Sequence, residues 1–162
     1  MTTTTSRVGG TTFSAPSDRE IRITRVFDAP RQSVFQALTD PGRVPSWYGP
    51  RGWTLPVCEI DSRTGGAWRL VCRGPDGTDL RLRGVYREVR PPERLVSTES
   101  FDGHPGESLN TLVLTEQDGR TTVTTTVRYP SKEARDAVLG SGMPVGASQT
   151  YGRLAEYLRV TA

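Results

Sequence analysis

Few residues in this chain could do chemistry near neutral pH. His104, in the run Phe101-Asp102-Gly103-His104-Pro105-Gly106-Glu107, is the one imidazole and so the one ordinary general base. It falls on a loop at one end of a strand pattern, where a pocket mouth can lie; the plain alternative is a solvated loop histidine. Glu99 alternates with Ser97 and Phe101. On an inward face its carboxyl would be pushed up by burial and could orient a polar ligand group, and on an outward face it would be a surface acid. Tyr48, Tyr86 and Tyr151 could add hydroxyls to the same space, or be core tyrosines bonded to backbone. Cys58 and Cys72 are expected about opposite each other across a Gly65-Gly66 hairpin. A catalytic thiolate needs a base, and with no histidine near them in sequence they read as core filler.

No P-loop, no GxGxxG after a strand, no GxSxG and no HExxH is present. Two cysteines and one histidine lack the spacing of a zinc site, so no metal is expected, and no cofactor. The serines, aspartates and lone histidine make no recognisable triad. No residue is assigned a catalytic role on this reading, with Glu99 and His104 as the candidates.

The elements that position these groups centre on Pro41 to Leu70. All three tryptophans, Trp47, Trp53 and Trp68, fall inside that stretch with Tyr48, and such rings carry large burial energies. Residues 1–18 are rich in Thr, Ser and Gly and are expected to be a disordered tail ahead of one domain over 19–162. Ile21 to Phe27 reads as a strand. Asp28 is the expected N-cap of a helix with Pro30 in its first turn, followed by a second short helix over Pro41 to Trp47. Six strands follow: Thr54–Asp61, Ala67–Arg73, Leu80–Val89, Arg94–Phe101, Leu109–Glu116 and Thr121–Tyr129. The Asp118-Gly119 turn should set Leu114 opposite Val123 and Asn110 opposite Val127. Ser131 caps a helical turn, Gly140-Ser141-Gly142 interrupts it, and Ala147, Tyr151, Leu154 and Leu158 form one apolar stripe on a long last helix. The class is α+β: hairpin-linked strands in an antiparallel sheet, crossed by the final helix with a space between.

Alternation puts Trp68, Leu70, Cys72, Leu80, Leu82, Gly84 and Tyr86 inward. Arg69, Val71, Arg73, Arg81, Arg83 and Arg87 then point outward, with Arg69 near Arg83 and Arg73 near Asp79. Of the 21 Lys and Arg residues only Lys132 is lysine, and the net charge is +3. Without interleaved aromatics the arginine face reads as solvated sheet, and no nucleic-acid partner is expected. No apolar run approaches a membrane span and no secretory signal opens the chain, so a cytoplasmic location is expected.

The motifs Ile21-x-x-x-Arg25-x-Phe27-Asp28-Ala29-Pro30, Trp47-Tyr48-Gly49-Pro50 and Asp61-x-Arg63-x-Gly65-Gly66-x-Trp68 resemble the START-like, Bet v 1-type helix-grip superfamily. So do Gly84-x-Tyr86, Pro92-Glu93-Arg94-Leu95 and Arg153-Leu154-x-x-Tyr157-Leu158. More narrowly the chain is similar to the branch related to the C-terminal domain of Aha-type activators of a heat-shock ATPase. The resemblance covers about residues 19 to 160. It implies a helix-grip fold: a seven-stranded curved antiparallel sheet wrapped on a long C-terminal helix, with two short helices between strands 1 and 2 and an internal cavity. Tyr48 departs from the pattern where a second tryptophan is common, as do Gln149 and Tyr151 where the last helix often carries a tryptophan or acid.

The function this implies is binding of a hydrophobic or aromatic small molecule, lipid or polyketide-like, by a carrier or sequestering protein. Trp68, Leu70, Leu82 and Tyr86 would wall the cavity. Trp47, Tyr48 and Trp53 would flank a Gly-Pro loop at its rim that acts as a gate, and Phe101, Met143 and Tyr151 would complete the lining. The alternatives are a cyclase- or dehydratase-like enzyme using Glu99 and His104, and a module contacting a chaperone. A homodimer is also compatible with the sequence.

Overall fold

Period-two patterning becomes strand throughout the computed structural model, which describes residues 5–103 and 106–161. In chain order these are β1 (Thr5–Val8), β2 (Thr11–Ser17), β3 (Glu20–Phe27), α1 (Arg31–Thr39), a 3-10 turn (Val44–Ser46), β4 (Thr54–Ile60), β5 (Ala67–Arg73), β6 (Asp79–Arg90), β7 (Arg94–Phe101), β8 (Ser108–Gln117), β9 (Arg120–Arg128), α2 (Lys132–Leu139) and α3 (Met143–Thr161). One antiparallel sheet runs β1-β2-β3-β9-β8-β7-β6-β5-β4. Asp118 (φ 54°) and Gly119 (φ 76°) make the tight turn between β8 and β9, and Leu114 does pair with Val123 and Asn110 with Val127.

The sheet has nine strands where seven were expected, because residues 5–17 are not a tail. Gly9 at φ 60° and Gly10 turn β1 back onto β2, pairing Val8 with Thr11. Glycine is needed at that left-handed position, since a side chain there is strained. Phe13 pairs with Ile23 and is 2% exposed, closing a second apolar cluster with Ile21 and Ile23. Threonine is β-branched and suits a pleated surface, so a Thr-rich run with one inward Phe is strand rather than disorder.

Two local expectations also shift. The N-cap of α1 is Pro30, not Asp28, and no side chain of its own segment caps it. Instead the Arg31 N–H donates to Glu116 Oε1 at 2.7 Å, so a distant strand supplies the missing acceptor. The second short helix contracts to the 3-10 turn, with Arg43 N–H and Val44 N–H both donating to the Asp40 carbonyl. At the far end Ser131 Oγ accepts from the Ala134 N–H at 3.1 Å and caps α2 as anticipated.

The main core lies between the inner face of the sheet, α1 and α3. Leu154 and Leu158 of α3 are 0% and 2% exposed and belong to the cluster of Phe27, Trp68, Leu70, Leu82 and Tyr86. Cys58 pairs with Leu70 and Cys72 with Leu80, so the two thiols share the inner face but are not opposite one another. The six-residue connection Asp61–Gly66 sets this register, bringing Ile60 against Trp68. Both cysteines are free thiols.

Candidate functional site

The inner face of β5–β8 carries polar groups where a plain core would carry only carbon. Trp68 pairs with Gly84, and continuing the register from Arg83↔Ser100 places Glu99 beside Gly84 on the other flank. Glu99 in turn pairs with Ser108. One position along, Tyr86 pairs with Ser97, Ser97 with Asn110, and Asn110 with Val127. Glycine at 84 is a packing requirement. A Cβ there would run into the Thr98 backbone carbonyl and stand 2.6 Å from Trp68 Nε1, so both the approach of β7 and the lie of the indole across β6 need glycine.

Glu99 is heavily desolvated while keeping partial exposure. Burial raises its carboxyl from 4.5 to about 7, against the opposing effect of a hydrogen bond with Asn110. The hydroxyls nearest in electrostatic effect come from three directions: Tyr48 on the loop after the 3-10 turn, Tyr129 after β9, and Tyr151 on α3. Burial pushes all three phenols up, and the Glu99 charge adds to it. Tyr86 is pushed up to about 12, again by burial. The thiols are raised as well, Cys58 to about 11, so neither is an activated nucleophile. The Tyr151 and Thr125 hydroxyls lie 3.2 Å apart, and the Tyr151 ring meets Phe27 edge-on at 6.0 Å.

Two buried polar atoms here have no hydrogen-bond partner among the described residues, Trp68 Nε1 and Asn110 Oδ1. An unmade hydrogen bond at a buried site costs about 1–3 kcal/mol, so such atoms mark a place where something else can bind. The inward residues Glu99, Phe101, Asn110 and Leu112 stay half-buried, and so do Tyr48 and Tyr151. Solvent therefore reaches part of this strip. Two clefts, of about 510 and 230 Å³, lie elsewhere; the smaller is lined by Ser108 and Tyr129 and abuts the end of the Glu99 row.

The expected gate loop is stapled rather than free. Arg153 Nη1 on α3 donates to the carbonyls of Tyr48 (3.1 Å) and Gly49 (2.9 Å), and Gln149 Oε1 accepts from the Arg51 N–H at 3.1 Å. Arg51 also pairs with Glu156 at 2.6 Å. Gly49 has φ 102°, and its back lies against Cys72 Sγ.

With this geometry in place, comparison with known proteins is decisive for family. The model described as "Activator of Hsp90 ATPase homolog 1-like protein" matches residues 28–159. The chain belongs to that family. A solved Rhodobacter sphaeroides protein is 33% identical with a TM-score of 0.86, covering 93% of this chain and 99% of its own. A Mycobacterium smegmatis protein, Ms6760, is 27% identical with a TM-score of 0.81, over 98% and 99%. An AHSA1 protein from Silicibacter pomeroyi, 21% identical with a TM-score of 0.74 over 88% and 99%, shares the fold. No curated protein matches.

Within this Hsp90-activator-like chain the expected site residues divide. Trp68, Leu70, Leu82 and Tyr86 are in the inner cluster, with Phe101 and Tyr151 packed against it. Trp47 is not at a rim. It is 4% exposed, and its Nε1 donates to the Ala37 carbonyl at 3.0 Å, which makes it an anchor of α1. Trp53 packs on Gly74 and Gly49 at the loop. Met143 lies in the second cluster with Phe13, because α3 begins over β2 and β3. His104 falls outside the described residues. Asn110, Ser97 and Thr125 were not anticipated. Asn110 alternates with Leu112 and Leu114, and a polar residue on an apolar face was the available signal.

The outward arginines are paired with acids: Arg69 with Glu59 and Arg73 with Asp79 at 2.8 Å, Arg83 with Asp102, and Arg87 with Glu107 at 3.8 Å. Among the described residues, no group of three or more His, Cys, Asp or Glu is placed to hold a metal ion. No described helix is long and apolar enough to cross a membrane.

Proposed function

We propose that the chain binds an apolar or aromatic small molecule between the inner face of β5–β8 and α3, as a carrier or sequestering protein of the cytoplasm. The observation that carries this reading is the pair of buried, unpartnered polar atoms, Trp68 Nε1 and Asn110 Oδ1, beside the desolvated Glu99 carboxyl. Apolar walls supply the affinity, and a few fixed polar groups orient the ligand. Native mass spectrometry of protein purified from its own host tests it: a co-purified organic molecule, lost in Trp68→Ala and Tyr151→Ala but kept in His104→Ala, is expected. Recovery of the bare chain, together with no binding of any hydrophobic probe, refutes it.

A second reading is an enzyme of the cyclase or dehydratase kind, favoured by a carboxyl near pH 7 with phenols around it, which suits proton transfer. Turnover lost in Glu99→Gln, with binding retained, would replace the first reading by this one.

A further inference from the structure

The donor–acceptor order of the interior narrows the ligand, and this step rests on the proposal that the interior is a binding site. Across the sheet the order is Trp68 Nε1 over β6, Glu99 on β7 and Asn110 on β8. Strands are about 4.8 Å apart, so the row from β6 to β8 is about 10 Å long. That is the length of two fused rings with a substituent at each end. Trp68 is 8% exposed and its N–H can only donate. The Asn110 amide meets Glu99 on its nitrogen side, which leaves Oδ1 free to accept. Tyr151 stands above, on α3, with its hydroxyl already shared with Thr125.

We infer that the interior takes a flat, uncharged ligand about two rings long, with a hydrogen-bond acceptor at the end held by Trp68 and a donor at the end held by Asn110. Phenolic and hydroxy-carbonyl aromatics have this chemistry. Alkyl lipids lack the second polar end. Carboxylates bring a negative charge to the middle of a row that Glu99 occupies, and Arg153 on α3 has its Nη1 committed to the Tyr48 and Gly49 carbonyls. Glycine at 84, which the Thr98 backbone carbonyl also requires, leaves room for the indole donor over β6.

Equilibrium dialysis at pH 8, where Glu99 is ionised, with naphthalene, 2-naphthol, 2,6-dihydroxynaphthalene and 2-naphthoate tests this. A net hydrogen bond is worth about a two- to tenfold change in affinity. The diol should therefore bind about four- to hundredfold tighter than naphthalene, 2-naphthol in between, and 2-naphthoate weakest. Trp68→Phe and Asn110→Val should each remove one step of that gain and leave naphthalene within about twofold. Should Trp68→Phe fail to fold, Asn110→Val and the probe series on the unaltered chain still decide. Naphthalene binding as tightly as the diol, or 2-naphthoate binding best, overturns the polar row but leaves interior binding standing. If no probe binds and no inner-face amide shifts in an NMR titration, both proposals fall.

Discussion

Replacing Glu99 by glutamine should stabilise the protein, and only above pH 5. The native carboxyl sits at about 7 and its ordinary value is 4.5, with burial as the main cause. Between those values the native state holds a proton that the unfolded state has released. Stability therefore falls as pH rises through this window, and the loss is complete above pH 7. At about 1.4 kcal/mol for each tenfold change in proton affinity, the full effect is about 3 kcal/mol. The groups facing Glu99 do not blur the prediction. The amide of Asn110 does not titrate, and the phenols of Tyr48, Tyr129 and Tyr151 are all pushed up and stay neutral below pH 9. Glutamine keeps the shape and a hydrogen-bonding end toward Asn110. Thermal melts of both proteins should coincide at pH 4.5 and diverge by about 6–12 °C at pH 8, at about 2–4 °C per kcal/mol for a chain of this size. Taking the difference between the two proteins cancels every other titrating group, His104 included. A gap that stays the same from pH 4.5 to 8, or one of opposite sign, refutes the inward, desolvated placement of Glu99.

Other perturbations test the remaining parts. Gly84→Ala drives a methyl into the Thr98 backbone carbonyl and the Trp68 indole; it should cost at least about 1–3 kcal/mol in a denaturant melt and change the near-ultraviolet circular dichroism of the tryptophans. Arg153→Met should leave the Tyr48 and Gly49 carbonyls without their clamp, and amide exchange at Gly49 and Gly52 should speed up while that of the β8–β9 hairpin is unchanged. Phe13→Ala should cost about 3–5 kcal/mol, and a shift under 0.5 kcal/mol would restore residues 5–17 to a dispensable tail.

The parts of this fold legible in advance were those with strong local grammar. Asp118-Gly119 dictates a tight hairpin, and the alternation around it dictates which residues meet, so Leu114 against Val123 needed no tertiary information. Ser131 caps α2 for an equally local reason. What escaped was decided at a distance. The α1 cap is Glu116, 85 residues downstream, and no window around Asp28 contains it. Trp47 and Met143 were placed by proximity in sequence or by motif; Trp47 is buried in the main cluster with its N–H on the Ala37 carbonyl, and Met143 lies at the β2–β3 end of α3. Residues 5–17 were misread for another reason: composition outweighed pattern, and Gly9-Gly10 is itself a hairpin signal.

The polar row has a bearing on stability as well as on binding. Each orphaned atom costs about 1–3 kcal/mol and Glu99 about as much again near pH 8, in a protein class whose whole stability is about 5–15 kcal/mol. Apolar substitutes at positions 99 and 110 would remove that cost without disturbing the hairpin register, which depends on the Asp118-Gly119 turn and on Leu114 and Val123. The chain instead places glycine at 84, which is itself unfavourable in a strand, where it admits the Trp68 donor to the same row. Packing explains glycine at 84, but the polar choices at 99 and 110 gain nothing from packing, and a ligand would account for them. Such a ligand, by satisfying Trp68 Nε1 and Asn110 Oδ1, raises the melting temperature by mass action. At a hundredfold excess over its dissociation constant the gain is about 2.7 kcal/mol, the size of one of these three costs.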